Sequence, residues 1–174
     1  MRSVGAEEWI PVCYGYGCLI ETEIRLVDKD WQPIAARMVA TVDAVSERES
    51  LALVIGRLYS LAGEQTPIHN DRGGNYADEG VFGAMDCIDH ATTTTRFLRA
   101  IERHGLLRWH RVLPKDVRSS FFVFEHYSAV IEEIPLLPEE PAARFAVDSW
   151  FVDHGLPAVI LPLEDWKKGA GPDV

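Results

Sequence analysis

From Cys87 onward, Ile88, Ala91, Thr95 and Leu98 recur three or four residues apart, with Phe97 and Ile101 beside them. That is the period of an amphipathic helix. Asp86 suits its N-cap, and Asp89, three residues on, completes a capping box with a shorter acid. Gly105 after His104 supplies a C-terminal stop. Upstream, Leu51, Val54, Ile55, Leu58 and Leu61 form a second helical stripe, closed by Gly63 and opened by Ser46-Glu47-Arg48-Glu49, read as a capping box. The stretch from Ala35 to Val45 is ambiguous and leads into a helix. Trp31-Gln32-Pro33 reads as a turn. Residues 10–27 read as a hairpin: Val12-Cys13 and Leu19-Ile20 flank Gly15 and Gly17, and Thr22, Ile24 and Leu26 alternate with charges.

After the Cys87 helix the pattern changes to strands: Leu107 to Val112, Ser119 to Phe124, Tyr127 to Ile134, Arg144 to Phe151 and Ala158 to Leu161. Pro114-Lys115-Asp116, Pro138-Glu139-Glu140-Pro141 and Asp153-His154-Gly155 separate them as turns. Short successive strands with tight turns predict an antiparallel sheet. The fold class is therefore α+β, with N-terminal helices packed on an antiparallel β-sheet. Residues 1–40 form a hairpin extension, Pro162 to Trp166 a short helical turn, and residues 169–174 a frayed tail.

Composition narrows the partners. The chain has 174 residues, enough for one domain with a real core, and a formal charge of −10, which opposes binding to a nucleic-acid backbone. No apolar run approaches the ~18 residues of a membrane span. Met1 to Trp9 carries Glu7 and Glu8 and no apolar core of a signal peptide. The expectation is a cytoplasmic protein, or a periplasmic one if the start has been trimmed. Cys13 and Cys18 flank Tyr-Gly-Tyr-Gly and could bridge a tight loop in an oxidising compartment.

The candidate chemistry centres on Cys87. At the first residue of a helix, unpaired N–H groups and the helix dipole favour negative charge, which makes a thiol a better nucleophile and offers donors to an oxyanion. The alternative is a buried, inert cysteine. His126 opens a strand, and Asp148 is an acid inside an apolar strand, where it needs a partner. Neighbouring strands would set Asp148 beside His126, and both before Cys87: a thiol, a base and an orienting carboxylate. The alternative for Asp148 is a salt bridge to Arg144 or Arg111. The Gly- and Asn-rich stretch 64–86 is long for a loop and precedes Cys87, so it is either one wall of a cleft or a solvated surface loop. Asn75, Tyr76 and the Cys87 N–H are the oxyanion candidates. His90 with His69, Asp71, Asp86 and Asp89 suggests a metal cluster by composition, but no His or Cys spacing supports it, and hydrogen bonding by His90 is the alternative.

The order of these motifs resembles the transglutaminase-like cysteine hydrolases of the papain-like superfamily, and is most similar to the bacterial transglutaminase-like cysteine proteinases. The residues that carry the resemblance are Gly83-Ala84-Met85-Asp86-Cys87-Ile88-Asp89, His126-Tyr127-Ser128-Ala129-Val130 and Val147-Asp148. Asp148-Ser149-Trp150 is also similar to the Asn-Ser-Trp of papain-like proteases, which implies that Trp150 covers the His126–Asp148 contact from the same strand face. The resemblance covers about residues 45–150. It implies a papain-like domain, a peptidase or amidase with Cys87, His126 and Asp148 as its triad, a peptide or protein substrate, and no required cofactor. It also implies calcium near Asp86 and Asp89, although Ile88 stands where that family carries an acid. The rival expectation is a non-catalytic binding module on the same scaffold.

Overall fold

The computed structural model describes residues 7–120, 124–137 and 139–173. The chain opens with an antiparallel hairpin, β1 (Glu8–Tyr14) and β2 (Ile20–Leu26). Three helices follow: α1 (Asp28–Val39), α2 (Ala44–Gly63) and α3 (Cys87–Arg103). The chain then forms β3 (His110–Ser120), β4 (Phe124–Glu133), β5 (Arg144–Asp148) and β6 (Val159–Pro162), and ends in α4 (Leu163–Lys167). The last four strands make one antiparallel sheet in the order β3-β4-β5-β6. The architecture is mixed helix and antiparallel sheet.

The core explains why α3 is central. Phe97, Leu98, Ala100 and Ile101 of α3 are buried with Leu51, Val54, Ile55 and Leu58 of α2, Ile10, Val12 and Ile24 of the hairpin, and Ala129, Ile131 and Val147 of the sheet. Each buried Leu, Ile or Phe contributes roughly 1.5–3 kcal/mol. Poor helix formers in α3 acquire specific partners instead of a penalty. Thr94 Oγ1 lies 3.0 Å from the Tyr59 hydroxyl and 2.8 Å from Ser149 Oγ. Thr93 Oγ1 accepts from the Cys13 N–H at 3.0 Å, and the Thr95 hydroxyl donates back to Ala91 O at 2.7 Å.

Several local expectations are corrected. Trp31-Gln32-Pro33 is no turn but lies inside α1, with Trp31 buried and packed on His104 at 4.0 Å. Apolar burial of Trp31, Ile34 and Met38 outweighs the one helical hydrogen bond that Pro33 removes. The cap of α2 is Asp43, whose carboxylate accepts from the Ser46 N–H at 2.7 Å, so the box starts three residues before the Ser46–Glu49 expectation. Glu47 is thereby released for the interior: its carboxylate accepts from the N–H groups of Arg108 and Trp109 and meets His110 Nδ1 at 2.8 Å.

Pro114-Lys115-Asp116 does not break the sheet. It is a bulge within β3, between Leu113 and Asp116, and β3 is an edge strand, where proline is tolerated. The strand begins at His110 rather than Leu107 and runs to Ser120, and the next begins at Phe124 rather than Tyr127; residues 121–123 of the strand expected over Ser119–Phe124 lie outside the described residues. The strand expected over Arg144–Phe151 stops at Asp148. The tail expected to fray from Gly169 is tied down at Ala170, which donates to Asp165 O and accepts from Arg118 at 2.9 Å. No helix among the described residues is long and apolar enough to cross a membrane.

Candidate active site

Cys87 is the first residue of α3. The Asp86 side chain caps the helix by accepting from the Asp89 N–H at 2.9 Å, and the Asp89 carboxylate returns the bond to the Asp86 N–H at 3.1 Å. This reciprocal box fixes the first turn and leaves Cys87 at its outer end. The thiol is half-buried and lies 3.8 Å from the carbonyl oxygen of Glu125 on β4.

His126 follows Glu125 on β4, and Asp148 closes β5. His126 Nε2 meets Asp148 Oδ2 at 2.7 Å, which leaves Nδ1 as the nitrogen for the thiol. Burial disfavours charge on the ring. The hydrogen bond to Asp148 and the neighbouring Cys87 sulfur outweigh it, and the imidazole pKa is raised to about 9. The structure thus brings Cys87 and His126 to one cavity, with Asp148 bonded to the far side of the ring. Arg111 and Arg144, the alternative partners for Asp148, are both engaged elsewhere, clamping the buried carboxylate of Glu132.

Asp148 is the most heavily bonded member. Oδ1 accepts from the Trp150 N–H at 3.1 Å, and Oδ2 also accepts from the Trp166 indole N–H at 2.9 Å. Trp150 sits beyond the end of β5, in a turn, rather than on the strand face with Asp148. Its ring nevertheless covers His126, with centroids 4.9 Å apart, and Phe151 and Trp166 close the other sides at 5.5 Å and 5.8 Å. Sequence reasoning missed Trp166. Its only sequence signal is a tryptophan in a short amphipathic turn, and the contact spans 18 positions.

These groups open on a cavity of about 640 Å³ lined by Tyr16, Asn75, Tyr76, Asp86, Cys87, Arg118, Phe124, Glu125, His126 and Trp150. The long stretch before α3 therefore forms one wall. It is pinned there by the Gly74 N–H, which donates to Trp150 O at 2.8 Å, and by Gly73, where any Cβ would collide with the Val152 backbone. Asn75 uses its side-chain oxygen on the Ala77 N–H, so its amide donors remain for the cavity, and Tyr76 packs on Trp150 at 4.8 Å.

The opposite wall is the hairpin turn. Cys13 and Cys18 form a disulfide with Cα atoms 4.7 Å apart. Between them and at Cys18, four consecutive residues are left-handed: Gly15, Tyr16, Gly17 and Cys18 have φ of 85°, 66°, 63° and 60°. The two non-glycine residues each cost roughly 1–2 kcal/mol in that conformation. The N–H groups so exposed converge on α3. Tyr16 and Cys18 donate to Asp89 at 2.9 and 2.6 Å, and Gly17 to Asp86 at 2.9 Å. Burial and the neighbouring Asp86 charge raise the Asp89 carboxyl to about 6 against these donors. The Tyr16 hydroxyl donates to Asp78, and burial with that carboxylate pushes the phenol pKa up.

Asp86 and Asp89 were the candidate calcium ligands. They do not fit that role: their oxygens face backbone N–H donors, which repel a cation, and Ile88 offers no third carboxylate. The composition-based cluster around His90 also resolves into hydrogen bonds. His90 Nε2 meets Asp71 Oδ2 and Nδ1 meets Ser149 Oγ, both at 2.8 Å, while His69 Nδ1 lies 3.0 Å from the backbone oxygens of Gly63 and Thr66. The buried Asp71–His90–Ser149 chain joins the first turn of α3 to the residue after Asp148, and so fixes the spacing between them.

No family model, no curated protein and no solved structure matches this chain.

Proposed function

We propose that this protein is a cysteine hydrolase of the transglutaminase-like type on a papain-like fold, a peptidase or amidase acting through an acyl-enzyme. The observation that carries the reading is the His126–Asp148 bond beside the Cys87 thiol, which stands at a helix start and lines the same open cavity as His126.

In this reading the Cys87 sulfur attacks the substrate carbonyl carbon while His126 Nδ1 holds the thiol proton. Asp148 fixes the ring through Nε2 and stabilises the imidazolium. The tetrahedral oxyanion is met by the Cys87 N–H, which has no partner within the helix, and by the Asn75 amide. His126 then returns its proton to the leaving amine. Water, deprotonated by the same ring, releases the acyl group and restores the thiol. Trp150 and Trp166 exclude water from the His126–Asp148 bond and strengthen it. The exposed rings of Tyr76 and Phe124 at the mouth favour a substrate with apolar side chains beside the scissile bond.

The test is alkylation by iodoacetamide near neutral pH, followed by a screen of peptide and amide substrates against the same thiol. Cys87 is expected to react faster than a free small-molecule thiol, and His126→Ala to slow it. Equal rates in the two proteins, with no acyl adduct on Cys87 from any substrate, would leave the cavity a binding site and remove the hydrolase reading.

A further inference from the structure

The hairpin turn that walls the cavity is held shut by a bond that can be broken chemically. Residues on both sides of the disulfide are anchored to α3: the Cys13 N–H donates to Thr93, and the Cys18 N–H to Asp89. The intervening residues are held in a left-handed run that an unconstrained chain leaves readily, because Tyr16 and Cys18 are not glycines. What the run presents to α3 is the set of N–H donors for the two acids of the capping box that places Cys87. Tyr16 itself lines the cavity.

We propose that the Cys13–Cys18 disulfide is a redox switch for the Cys87 site, competent when oxidised and slackened when a dithiol reductant opens it. The proposal rests on the hydrolase reading, since it regulates that same thiol.

The two sulfurs are unequal in the way that exchange requires. Cys13 is fully buried, and Cys18 is half-exposed. The Arg96 guanidinium donates to Cys13 Sγ at 3.4 Å, while it also pairs with Glu21. The incoming thiolate therefore attacks Cys18 Sγ. The S–S bond breaks, and Cys13 leaves as a thiolate next to a positive charge, which favours the leaving group. The second thiol of the reductant then attacks the mixed disulfide, forms its own internal disulfide and releases Cys18. Two electrons and two protons pass from the dithiol to Cys13 and Cys18, so both end as thiols. Released from the bridge, the left-handed run relaxes and its N–H groups withdraw from Asp86 and Asp89. The buried Asp89 carboxylate then faces Asp86 without the donors that held both, and the first turn of α3 loosens under Cys87.

The experiment follows alkylation of Cys87 by peptide mapping in four samples: the oxidised protein, protein reduced with dithiothreitol and desalted, reduced protein that has been reoxidised, and Cys13→Ser/Cys18→Ser. Near-UV circular dichroism of each confirms the fold. Reduction and the double variant are expected to slow Cys87 by about tenfold or more, and reoxidation to restore it. Asp89→Asn, which breaks the clamp with the disulfide intact, is expected to slow Cys87 likewise. An unchanged Cys87 rate in the folded reduced protein overturns the switch, and so does a slow rate that reoxidation fails to restore. The hydrolase reading fails differently: Cys87 of the oxidised protein would then react no faster than a free thiol, with or without His126.

Discussion

Trp166 and His126 share one oxygen of Asp148: the indole N–H donates to Oδ2 at 2.9 Å, and the imidazole Nε2 meets it at 2.7 Å. The helix α4 thereby takes part in holding the ring that faces Cys87. Trp166→Phe keeps most of the ring and removes the donor. Loss of a hydrogen bond to a buried carboxylate lowers stability by about 1.5–3 kcal/mol. Alkylation of Cys87 should slow by about tenfold, equivalent to roughly 1.4 kcal/mol. Denaturant melts with rate measurements on the same samples check both numbers, and an unchanged rate would confine Trp166 to packing.

Trp150 tests the cover over the same contact from the other side. It is buried and lies 4.9 Å from His126 and 4.8 Å from Tyr76. Trp150→Ala should lower stability by roughly 3–5 kcal/mol and also slow Cys87 in the molecules that remain folded. Melting temperature measured alongside alkylation rate separates the effects: a lower melting temperature with an unaltered rate per folded molecule would make Trp150 core alone.

The pH dependence follows from His126, whose pKa is raised from the ordinary 6.5 to about 9 against its burial by Asp148 and Cys87. A group raised on folding contributes stability that is complete below its unfolded value and is lost as the pH climbs through the folded value. Unfolding free energy should therefore decline between about pH 6.5 and 9, on the order of 1–3 kcal/mol. His126→Gln should flatten that decline.

Glu47 provides the contrast. Burial pushes its carboxyl up, but His110 and the Arg108 and Trp109 N–H groups outweigh this and hold its pKa below the usual 4.5. Its contribution is present above that value and is lost as the pH falls below it. Glu47→Ala should destabilise by about 3–5 kcal/mol because it strands a fully buried His110. None of these groups lines the Cys87 cavity, so the alkylation rate of folded protein should hold. A slowed rate in a folded Glu47→Ala sample would refute that separation.

The parts of the site that were legible in sequence share a cause. Asp86, Cys87 and Asp89 are local, so the capping box and the helix start follow from spacing alone. His126 and Asp148 were legible because each is a polar residue that an apolar strand must explain. The strands β4 and β5 then pair antiparallel, with Ala129 opposite Val147, which brings the two together. Misread stretches depended on distant packing. Pro33 and Pro114 carry strong local stop signals, yet a helix buried on one face and an edge strand with a bulge absorb them. Glu47 reads as a capping acid until His110, 63 positions away, claims it. Trp166 and the turn at Tyr16–Cys18 were placed on the right elements, but their roles were not legible, because each acquires meaning only from the acid it meets across the fold.

The sharing of Asp148 by His126 and Trp166 also sets an order in time. A ribosome makes Cys87, then His126, then Asp148, and only afterwards the indole that completes the carboxylate's contacts. At about 5–20 residues per second, Trp166 is made roughly 4–16 s after Cys87. In the later part of that interval, once His126 is made, the nascent chain holds a thiol and an imidazole whose aromatic enclosure is incomplete. The carboxylate that holds His126 thus gains its last donor only when α4 docks, and the ring's setting is completed by the end of the chain described.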